Sequence, residues 1–298
     1  MPAKRLYVID GTATLFRAYF GMNKVQSPDG REVGGLLGFG QALSKFVREV
    51  GPQYVSLVFD GPEKTFRHDI FPDYKANRPA PADDMEHQFS LSVDVAKALG
   101  FNCFHAIGFE ADDLMATMAK RAIEANIETV LVTPDKDVHQ VIRPGTYVMD
   151  PKSFQLIDED KVKERFGVKP AHLVDFLALA GDSTDNVPGV RGVGPKSATA
   201  LVASLGSLPE IYEKLDLVAD LPIRGAKSIA KKLSEQKEEA FLSLELVKLR
   251  EDVPLSDEMM NLKTLRYLGP RPDADPLFDE LGFHAPLRNL RSLAQLGG

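Results

Sequence analysis

The sequence contains a single cysteine and no long run of apolar residues. Cys103 cannot form an internal disulfide, which is compatible with a reducing cytoplasm. No apolar stretch approaches the ~18 residues that a membrane-spanning helix requires. The apolar stretch that follows Lys4 and Arg5 ends at Asp10, too early for a secretory signal peptide. We therefore expect a cytoplasmic protein that does not enter a membrane.

The length of 298 residues corresponds to about two domains. Apolar residues make up 44% of the chain and charged residues 27%, which are ordinary globular values and exclude a disordered or fibrous chain. The formal net charge is −7, and a negative charge by itself argues against a nucleic-acid partner. The distribution of the acidic residues along the chain changes that interpretation.

The first 160 residues alternate between short β-branched or aromatic runs and helical patterns. This alternation predicts an α/β fold with a mostly parallel, doubly wound sheet. The predicted strands are Leu6–Ile9, Tyr54–Phe59, Phe101–Ala106, Thr129–Thr133 and Thr146–Met149. The predicted helices are Leu36–Val50, Phe89–Leu99 and Asp112–Ala125. Residues 161–298 are predicted to form a helical region, with a tail from about Asp252 that wraps the body without forming a third domain.

The segment Phe66–Asp84 is long, basic in its middle and interrupted by prolines. A continuous rigid helix is disfavoured by these prolines, Pro72, Pro79 and Pro81. Positive charge that would attract the phosphates of a polymer comes from Arg67, Lys75 and Arg78. The segment is therefore predicted to be a functional loop or a mobile arch.

Acidic residues follow the predicted strands and begin one of the predicted helices. Asp10 and Asp60 each follow a strand, and Asp135 and Asp137 follow another, so all four are expected at one edge of the sheet. The full set is Asp10, Asp60, Glu110, Asp112, Asp113, Asp135, Asp137, Asp182 and Asp185. Several carboxylates packed together repel one another unless cations neutralise them. Oxygen ligands without histidine or cysteine favour Mg²⁺ or Mn²⁺ over zinc.

Each acidic motif also has a simpler interpretation. An aspartate after a strand is often a turn former or a helix N-cap, and acids at a helix start complement the helix dipole. The co-occurrence of all these motifs at sheet-edge positions favours the metal site. Leaving the nine acids out of the count changes the net charge from −7 to +2. The argument against a nucleic-acid partner then disappears.

The glycine-rich turn Gly189–Ala198 differs from a phosphate-binding P-loop, because Pro195 separates Gly194 from Lys196. It is better interpreted as a hairpin between two helices, with Pro195 in the first turn of the second helix. The exposed amides of that turn, together with Lys196, would hold a DNA phosphate without reading bases. The stretch 186–232 has a local net charge of +3, which favours a surface that binds the DNA backbone.

Together these motifs resemble the 5′-nuclease family, which includes the 5′→3′ exonuclease domain of bacterial DNA polymerase I, its standalone relatives and flap endonucleases. The resemblance covers most of the chain, through VIDG, YKANR, FEADD, TPDKD and GDSTDNVPGVRGVGPKSA to about Leu249. It implies a Rossmann-like α/β body with a helical arch, followed by a helix–hairpin–helix element at about residues 186–205. No polymerase region follows, so the chain is expected to be a standalone nuclease or an excised domain.

The resemblance also implies roles for individual residues. One metal ion would be held by Asp10, Asp60, Glu110 and Asp112. A second would be held by Asp135, Asp137, Asp182 and Asp185, with Asp113 in support. Positions that engage the scissile phosphate are Arg17, Lys75 and Arg78, and Tyr74 matches a position that contacts a nucleotide base. The turn Gly192–Gly194 matches the element that grips duplex DNA, often with a monovalent cation such as K⁺.

The prediction is a metal-dependent phosphodiesterase that acts on flap, nicked or 5′-ended duplex DNA, as a monomer. Two alternatives stay open at this point. An RNase of similar plan would share the carboxylate cluster, but the duplex-gripping hairpin argues against it. A non-catalytic protein that binds DNA structures would share the hairpin, but a full set of repelling acids would then only cost stability.

Overall fold

The computed structural model describes residues 4–80 and 82–296. At its centre is a six-stranded sheet in the order β3-β2-β1-β4-β5-β6, with β1 to β5 parallel and β6 antiparallel at one edge. The strands are β1 (Arg5–Asp10), β2 (Tyr54–Val58), β3 (Asn102–Phe104), β4 (Glu128–Val132), β5 (Thr146–Met149) and β6 (Leu156–Ile157). The predicted parallel α/β sheet is confirmed, with shorter second and third strands and with β6 added.

Fourteen helices surround this sheet in the described part of the chain. Those of the first half are α1 (Gly11–Gly21), α2 (Gly34–Val50), α3 (Phe66–Ile70), α4 (Asp83–Ala98) and α5 (Ala111–Glu124). The helical region after the sheet contains α6 (Glu159–Phe166), α7 (Leu173–Ala180), α8 (Pro195–Leu205), α9 (Leu208–Glu213), α10 (Ala226–Glu235) and α11 (Lys237–Val247). The tail forms α12 (Asp257–Met260), α13 (Asp275–Leu281) and α14 (Ala285–Leu296). The predicted helical region is thus confirmed.

Two hydrophobic cores lie on opposite faces of the sheet. Successive side chains of a strand point to opposite faces, so Val8 of β1 packs in one core and Ile9 packs in the other. The first core also contains apolar residues of α5, α7, α8 and α11. The second contains those of α1, α2, α4, α13 and α14. Both faces of the central strands are covered, as is typical of a parallel sheet.

Helix α1 was not among the predicted helices, since its sequence GTATLFRAYFG combines glycine, threonine and aromatic residues of modest helix propensity. Asp10 caps its start, because Asp10 Oδ1 accepts a hydrogen bond from Ala13 N at 2.8 Å. Leu15 is fully buried and anchors the helix in the second core. Tertiary packing together with a cap therefore outweighs the weak propensity.

The segment predicted as an arch is not one continuous helix. It begins as α3, continues through turns after Phe71, and ends where α4 begins at Asp83, six residues before the predicted start of that helix. Asn77 Nδ2 donates to the carbonyl oxygen of Ser183 at 2.5 Å, and Asn186 Nδ2 donates to that of Asp73 at 2.7 Å. These bonds fasten the segment to the loop after α7. Pro81 lies outside the described residues.

The tail after Asp252 packs across the body. Leu265 O accepts a hydrogen bond from Val55 N at 2.9 Å, and Tyr267 N donates to Gln53 O at 3.0 Å, which joins the tail to the start of β2. Further along, α13 and α14 bury apolar side chains in the second core, including Phe278, Leu281 and Leu287. The tail thus completes an existing core, as the sequence predicts.

Candidate active site

The carboxyl ends of β2, β1 and β4 lie side by side, and each is followed by an aspartate. Asp10 is the last residue of β1, Asp60 follows β2, and Asp135 follows β4. Helix α5 begins at the same edge, because Asp60 Oδ1 accepts a hydrogen bond from Ala111 N at 2.8 Å. This contact brings Glu110 and Asp112 to the ends of the strands. The expected convergence of acids at one sheet edge is present.

Asp10 combines the two interpretations that the sequence left open. Its Oδ1 caps α1 through Ala13 N, and its Oδ2 accepts a hydrogen bond from Thr133 Oγ1 at 2.9 Å. At the same time it lies close enough to Asp60 and Asp135 for their charges to act on it. Asp10 is therefore both a helix cap and a member of the acidic cluster.

The remaining acids meet in a small cavity of about 30 Å³ beside Lys75. Its carboxylates come from three separate parts of the chain, namely Glu110, Asp112, Asp135, Asp137 and Asp185. Asp182 is close by, since its charge acts on Asp137. The volume is that of a single water molecule or ion.

Burial dominates the electrostatics of these acids. Loss of solvent, followed by the charge of Asp60, raises the pKa of Asp10 to about 7. Loss of solvent, followed by the charge of Asp135, raises the pKa of Asp137 to about 8. Burial also raises the pKa of Asp60, and it raises that of Asp112 well above its usual value. The cluster therefore favours added positive charge, from protons or from cations.

Four basic side chains already supply part of that charge. Arg67 Nη1 lies 3.2 Å from Glu110 Oε2. Lys75 Nζ lies 2.5 Å from Glu110 Oε1, and Arg78 forms an ion pair with Asp185. Lys136 Nζ lies 2.5 Å from Asp182 Oδ2. Among the residues that the structure describes, no three acidic, histidine or cysteine side chains are already arranged as a metal-ligating group.

The donor set nevertheless fits a divalent cation bound through oxygen. All the converging ligands are carboxylates, which is the chemistry that Mg²⁺ and Mn²⁺ prefer. Asp137 Oδ1 is buried and has no hydrogen-bond partner among the described residues, so one ligand atom is available without breaking an existing bond. The buried acids with raised pKa values gain most from such a cation.

Asp113 binds Arg67, whose Nη1 atom also lies 3.2 Å from Glu110 Oε2. The guanidinium forms two hydrogen bonds to its carboxylate, at 2.7 and 2.9 Å, and both side chains are almost fully buried. Asp113 Oδ2 also accepts a hydrogen bond from Glu110 N at 3.2 Å. Asp113 thereby positions the start of α5.

Arg67 requires a correction, because the sequence suggested that it attracts DNA. The residue is 1% exposed. Its remaining donors bind the carbonyl oxygens of Leu246 and Lys248, at 2.7 and 3.2 Å. A guanidinium that is buried and fully bonded cannot reach a phosphate. Arg67 instead joins α3, α5 and the end of α11.

We expect Arg67→Ala to destabilise the fold by about 3–5 kcal/mol, because it leaves the Asp113 carboxylate buried without its partner. The free energy of unfolding in urea at neutral pH measures this effect. Arg121→Ala is the matched control, since the Arg121–Glu124 pair is exposed and contributes little. Equal stability of the two variants would show that the buried pair does not hold these elements together.

Tyr74 and Arg17 occupy different environments. Tyr74 is 5% exposed, and its hydroxyl donates to Glu110 Oε2 at 3.1 Å, so in this structure it orients an acid and presents no face to a base. Arg17 is exposed on α1, about two turns after the Asp10 cap. Its guanidinium is close enough to Asp150 for its charge to act there.

The predicted hairpin lies between α7 and α8. Gly192 has a φ of +87°, a left-handed backbone conformation that side chains rarely adopt, so the turn depends on glycine. Gly194 is the N-cap of α8 and Pro195 is its first residue, as predicted. Lys196 is exposed in the first turn of that helix.

Sequence reasoning did not assign roles to Thr133 and Lys136, although both belong to the loop that carries Asp135 and Asp137. Thr133 holds Asp10, and Lys136 binds Asp182. The position of Lys136 between two acids of the cluster could have indicated that it lies at the site. Nothing in the spacing showed that it would contact an acid 46 residues away.

The fold and the site together define a class of protein: an α/β sheet with clustered carboxylates at its carboxyl edge, a basic segment beside them and a helical hairpin. Two family models match adjoining parts of the chain. Residues 5–167 match the "5′-3′ exonuclease, N-terminal resolvase-like domain" and residues 168–270 match the "5′-3′ exonuclease, C-terminal SAM fold". The chain belongs to the 5′–3′ exonuclease family.

Curated relatives include the 5′-3′ exonuclease of Aquifex aeolicus, which is 32% identical over 281 residues that cover 93% of this chain and 91% of the relative. DNA polymerase I of Pseudomonas aeruginosa is 38% identical over 258 residues, which cover 86% of this chain. The chain spans less than a third of the DNA polymerase I sequences that it matches, 28% in this case.

Solved structures share the fold. The flap endonuclease of bacteriophage T5, in a complex with DNA and metal ions, superposes with a TM-score of 0.65 at 22% identity and covers 82% of this chain and 89% of its own. In the described part of the chain, no helix has both the length and the apolar character needed to cross a bilayer.

Proposed function

We propose that this chain is a metal-dependent 5′→3′ exonuclease and flap endonuclease that hydrolyses DNA phosphodiesters at 5′ ends and branch points. The observation that carries the proposal is the convergence of buried carboxylates with raised pKa values beside Lys75 and Arg78. Such an enzyme would serve DNA replication or repair and would meet its substrate in the cytoplasm, as a monomer.

Two divalent cations, Mg²⁺ or Mn²⁺, would supply a Lewis acid for the phosphate and lower the pKa of the attacking water. The family resemblance assigns one of them to Asp10, Asp60, Glu110 and Asp112. It assigns the other to Asp135, Asp137, Asp182 and Asp185. Support for this assignment comes from the fixed carboxylates: Thr133 holds Asp10, and Ala111 N holds Asp60. Asp113 supports the first group through Glu110 N.

Lys75 and Arg78 are proposed to act on the scissile phosphate. In this structure both bind cluster acids, Glu110 and Asp185 respectively. An anionic phosphate that enters beside these acids would give the Lys75 and Arg78 side chains a new partner. Lys75 and Arg78 would then stabilise the charge that develops on the phosphate oxygens. Arg17 would contact the DNA strand from α1, and Tyr74 would keep Glu110 in place until a base approaches.

The hairpin is proposed to grip duplex DNA through its backbone. Lys196 and the free amides at the start of α8 would bind a phosphate. A monovalent cation such as K⁺ suits the carbonyl groups of the Gly192–Gly194 turn, because Gly192 O already faces a cation, Lys232 Nζ, at 3.5 Å. The body of residues 1–160, with its arch, would cut the DNA that the helical region of residues 161–298 holds.

We expect Lys196→Ala to weaken binding to all duplex sequences alike. Loss of one phosphate contact should lower the slope of log K against log salt concentration by about one unit. Fluorescence anisotropy with two unrelated duplexes, measured from low to moderate salt, tests this expectation. Lys152→Ala, an exposed lysine on the turn after β5, is the control. A change in sequence preference would identify Lys196 as a base reader.

The experiment that tests the function is incubation with 5′-labelled flap, nicked, blunt and single-stranded DNA, and with single-stranded RNA, each with Mg²⁺ or with EDTA. We expect cleavage at 5′ ends and branch points with Mg²⁺ or Mn²⁺, and none with EDTA. Undiminished cleavage in EDTA would overturn the metal-dependent function. Binding to branched DNA without cleavage would favour the non-catalytic alternative, and cleavage of RNA alone would favour the RNase.

A further inference from the structure

Lys136 lies between Asp135 and Asp137 in the loop after β4, and its side chain crosses to Asp182. The Asp182 side chain is 8% exposed, whereas that of Lys136 is 37% exposed. The lysine therefore reaches a buried acid from the solvent side. Burial opposes ionisation of Asp182, but hydrogen bonds from Lys136 Nζ and Thr184 N hold its pKa below the usual range.

Lys136 belongs to a different segment of the chain from Lys75 and Arg78, two basic side chains that also pair with cluster acids. Lys75 and Arg78 belong to the arch segment, so their contacts depend on the position of that segment. The backbone around Lys136 is fixed by the sheet edge, through Asp135 N to Thr133 Oγ1 at 3.1 Å and Asp137 N to Asp135 Oδ1 at 2.8 Å.

We propose that Lys136 is a tethered counter-ion that competes with a divalent cation for Asp182 and so sets the metal affinity of this half of the cluster. The inference rests on the proposed function, in which Asp182 is a metal ligand. The ammonium group lies 2.5 Å from Asp182 Oδ2, so its positive charge repels a divalent cation that approaches the same carboxylate. The flexible stem of lysine lets the ammonium withdraw to solvent when the metal binds. Lys136 is thus a positioning residue.

This competition predicts that removal of the Lys136 charge raises the affinity of the site for a divalent cation. When Lys136 is replaced by methionine, the stem keeps its packing but the competing charge is gone. The acids around Asp182 then attract a divalent cation more strongly. We expect the affinity for Mn²⁺ to rise by about tenfold, since a unit charge at this distance from a partly exposed site changes a cation's binding by at least that factor.

Titration of the full chain with Mn²⁺, without DNA, tests the proposal through the electron paramagnetic resonance signal of free Mn²⁺. The variants are Lys136→Met, Lys136→Arg and Asp182→Asn, with Lys152→Met as a control for loss of an exposed lysine. We expect tighter binding for Lys136→Met, near wild-type binding for Lys136→Arg and Lys152→Met, and weaker binding for Asp182→Asn. If Lys136→Met does not fold, Lys136→Gln repeats the test.

The outcomes separate the two proposals. Unchanged or weaker Mn²⁺ binding by Lys136→Met, with weaker binding by Asp182→Asn, would overturn the role of Lys136 and leave the proposed function standing. Wild-type Mn²⁺ binding by Asp182→Asn would count against the assignment of Asp182 as a metal ligand, and so against the proposed metal site. Equal tightening by Lys136→Met and Lys152→Met would show a general effect of net charge and would also overturn the inference.

Discussion

Asp60→Asn should lower the single-turnover rate of flap cleavage by about 10³-fold or more, with little change in DNA binding. Asparagine has nearly the same shape, and its amide oxygen still accepts the hydrogen bond from Ala111 N that places α5. The variant therefore loses the negative charge alone. Asp182→Asn should behave in the same way, because its amide oxygen still accepts from Thr184 N.

Rapid-quench cleavage under single-turnover conditions, together with anisotropy for DNA affinity, checks this prediction. Asp150→Asn is the matched control, since Asp150 follows β5 at the same sheet edge but its Oδ1 atom holds a local turn through Lys152 N and Ser153 N. We expect this control to cut at nearly the wild-type rate. A wild-type rate for Asp60→Asn, with an unchanged melting temperature, would remove Asp60 from the metal site.

Lys75→Ala and Arg78→Ala should each slow single-turnover cleavage of a 5′ flap by about 10²-fold or more. Correct placement of a phosphate is worth several kcal/mol of the reaction barrier, so loss of a positioning cation affects turnover more than affinity. The dissociation constants for the same DNA should change by less than about tenfold. Flaps and single-stranded 5′ ends should be affected alike, since both pass the arch.

The same quench and anisotropy measurements, with Lys64→Ala beside them, test this second prediction. Lys64 is exposed just before the arch segment. The Lys64→Ala substitution therefore removes one positive charge from the same part of the surface. Its variant should cut at nearly the wild-type rate. If Lys75→Ala and Arg78→Ala cut at the wild-type rate and only bind more weakly, the segment is a docking surface.

The sequence by itself determined the parallel sheet and most of the acidic cluster. Runs of β-branched residues mark β1, β2, β4 and β5, and parallel strands all end at the same edge. An aspartate placed directly after such a strand therefore has a predictable position. The same local logic placed Pro195 in the first turn of α8.

Only the tertiary structure decided which partner each charge would have. Arg67 and Lys75 are eight positions apart in one basic segment, and both lie close to Glu110. Arg67, however, is almost fully buried on Asp113, whereas the Lys75 side chain is 22% exposed. The sequence likewise did not predict the pairing of Lys136 with Asp182. A local pattern sets where an element begins and which face is apolar. Ion pairs between distant segments depend on how those elements pack, because electrostatic energy depends on distance and burial in space.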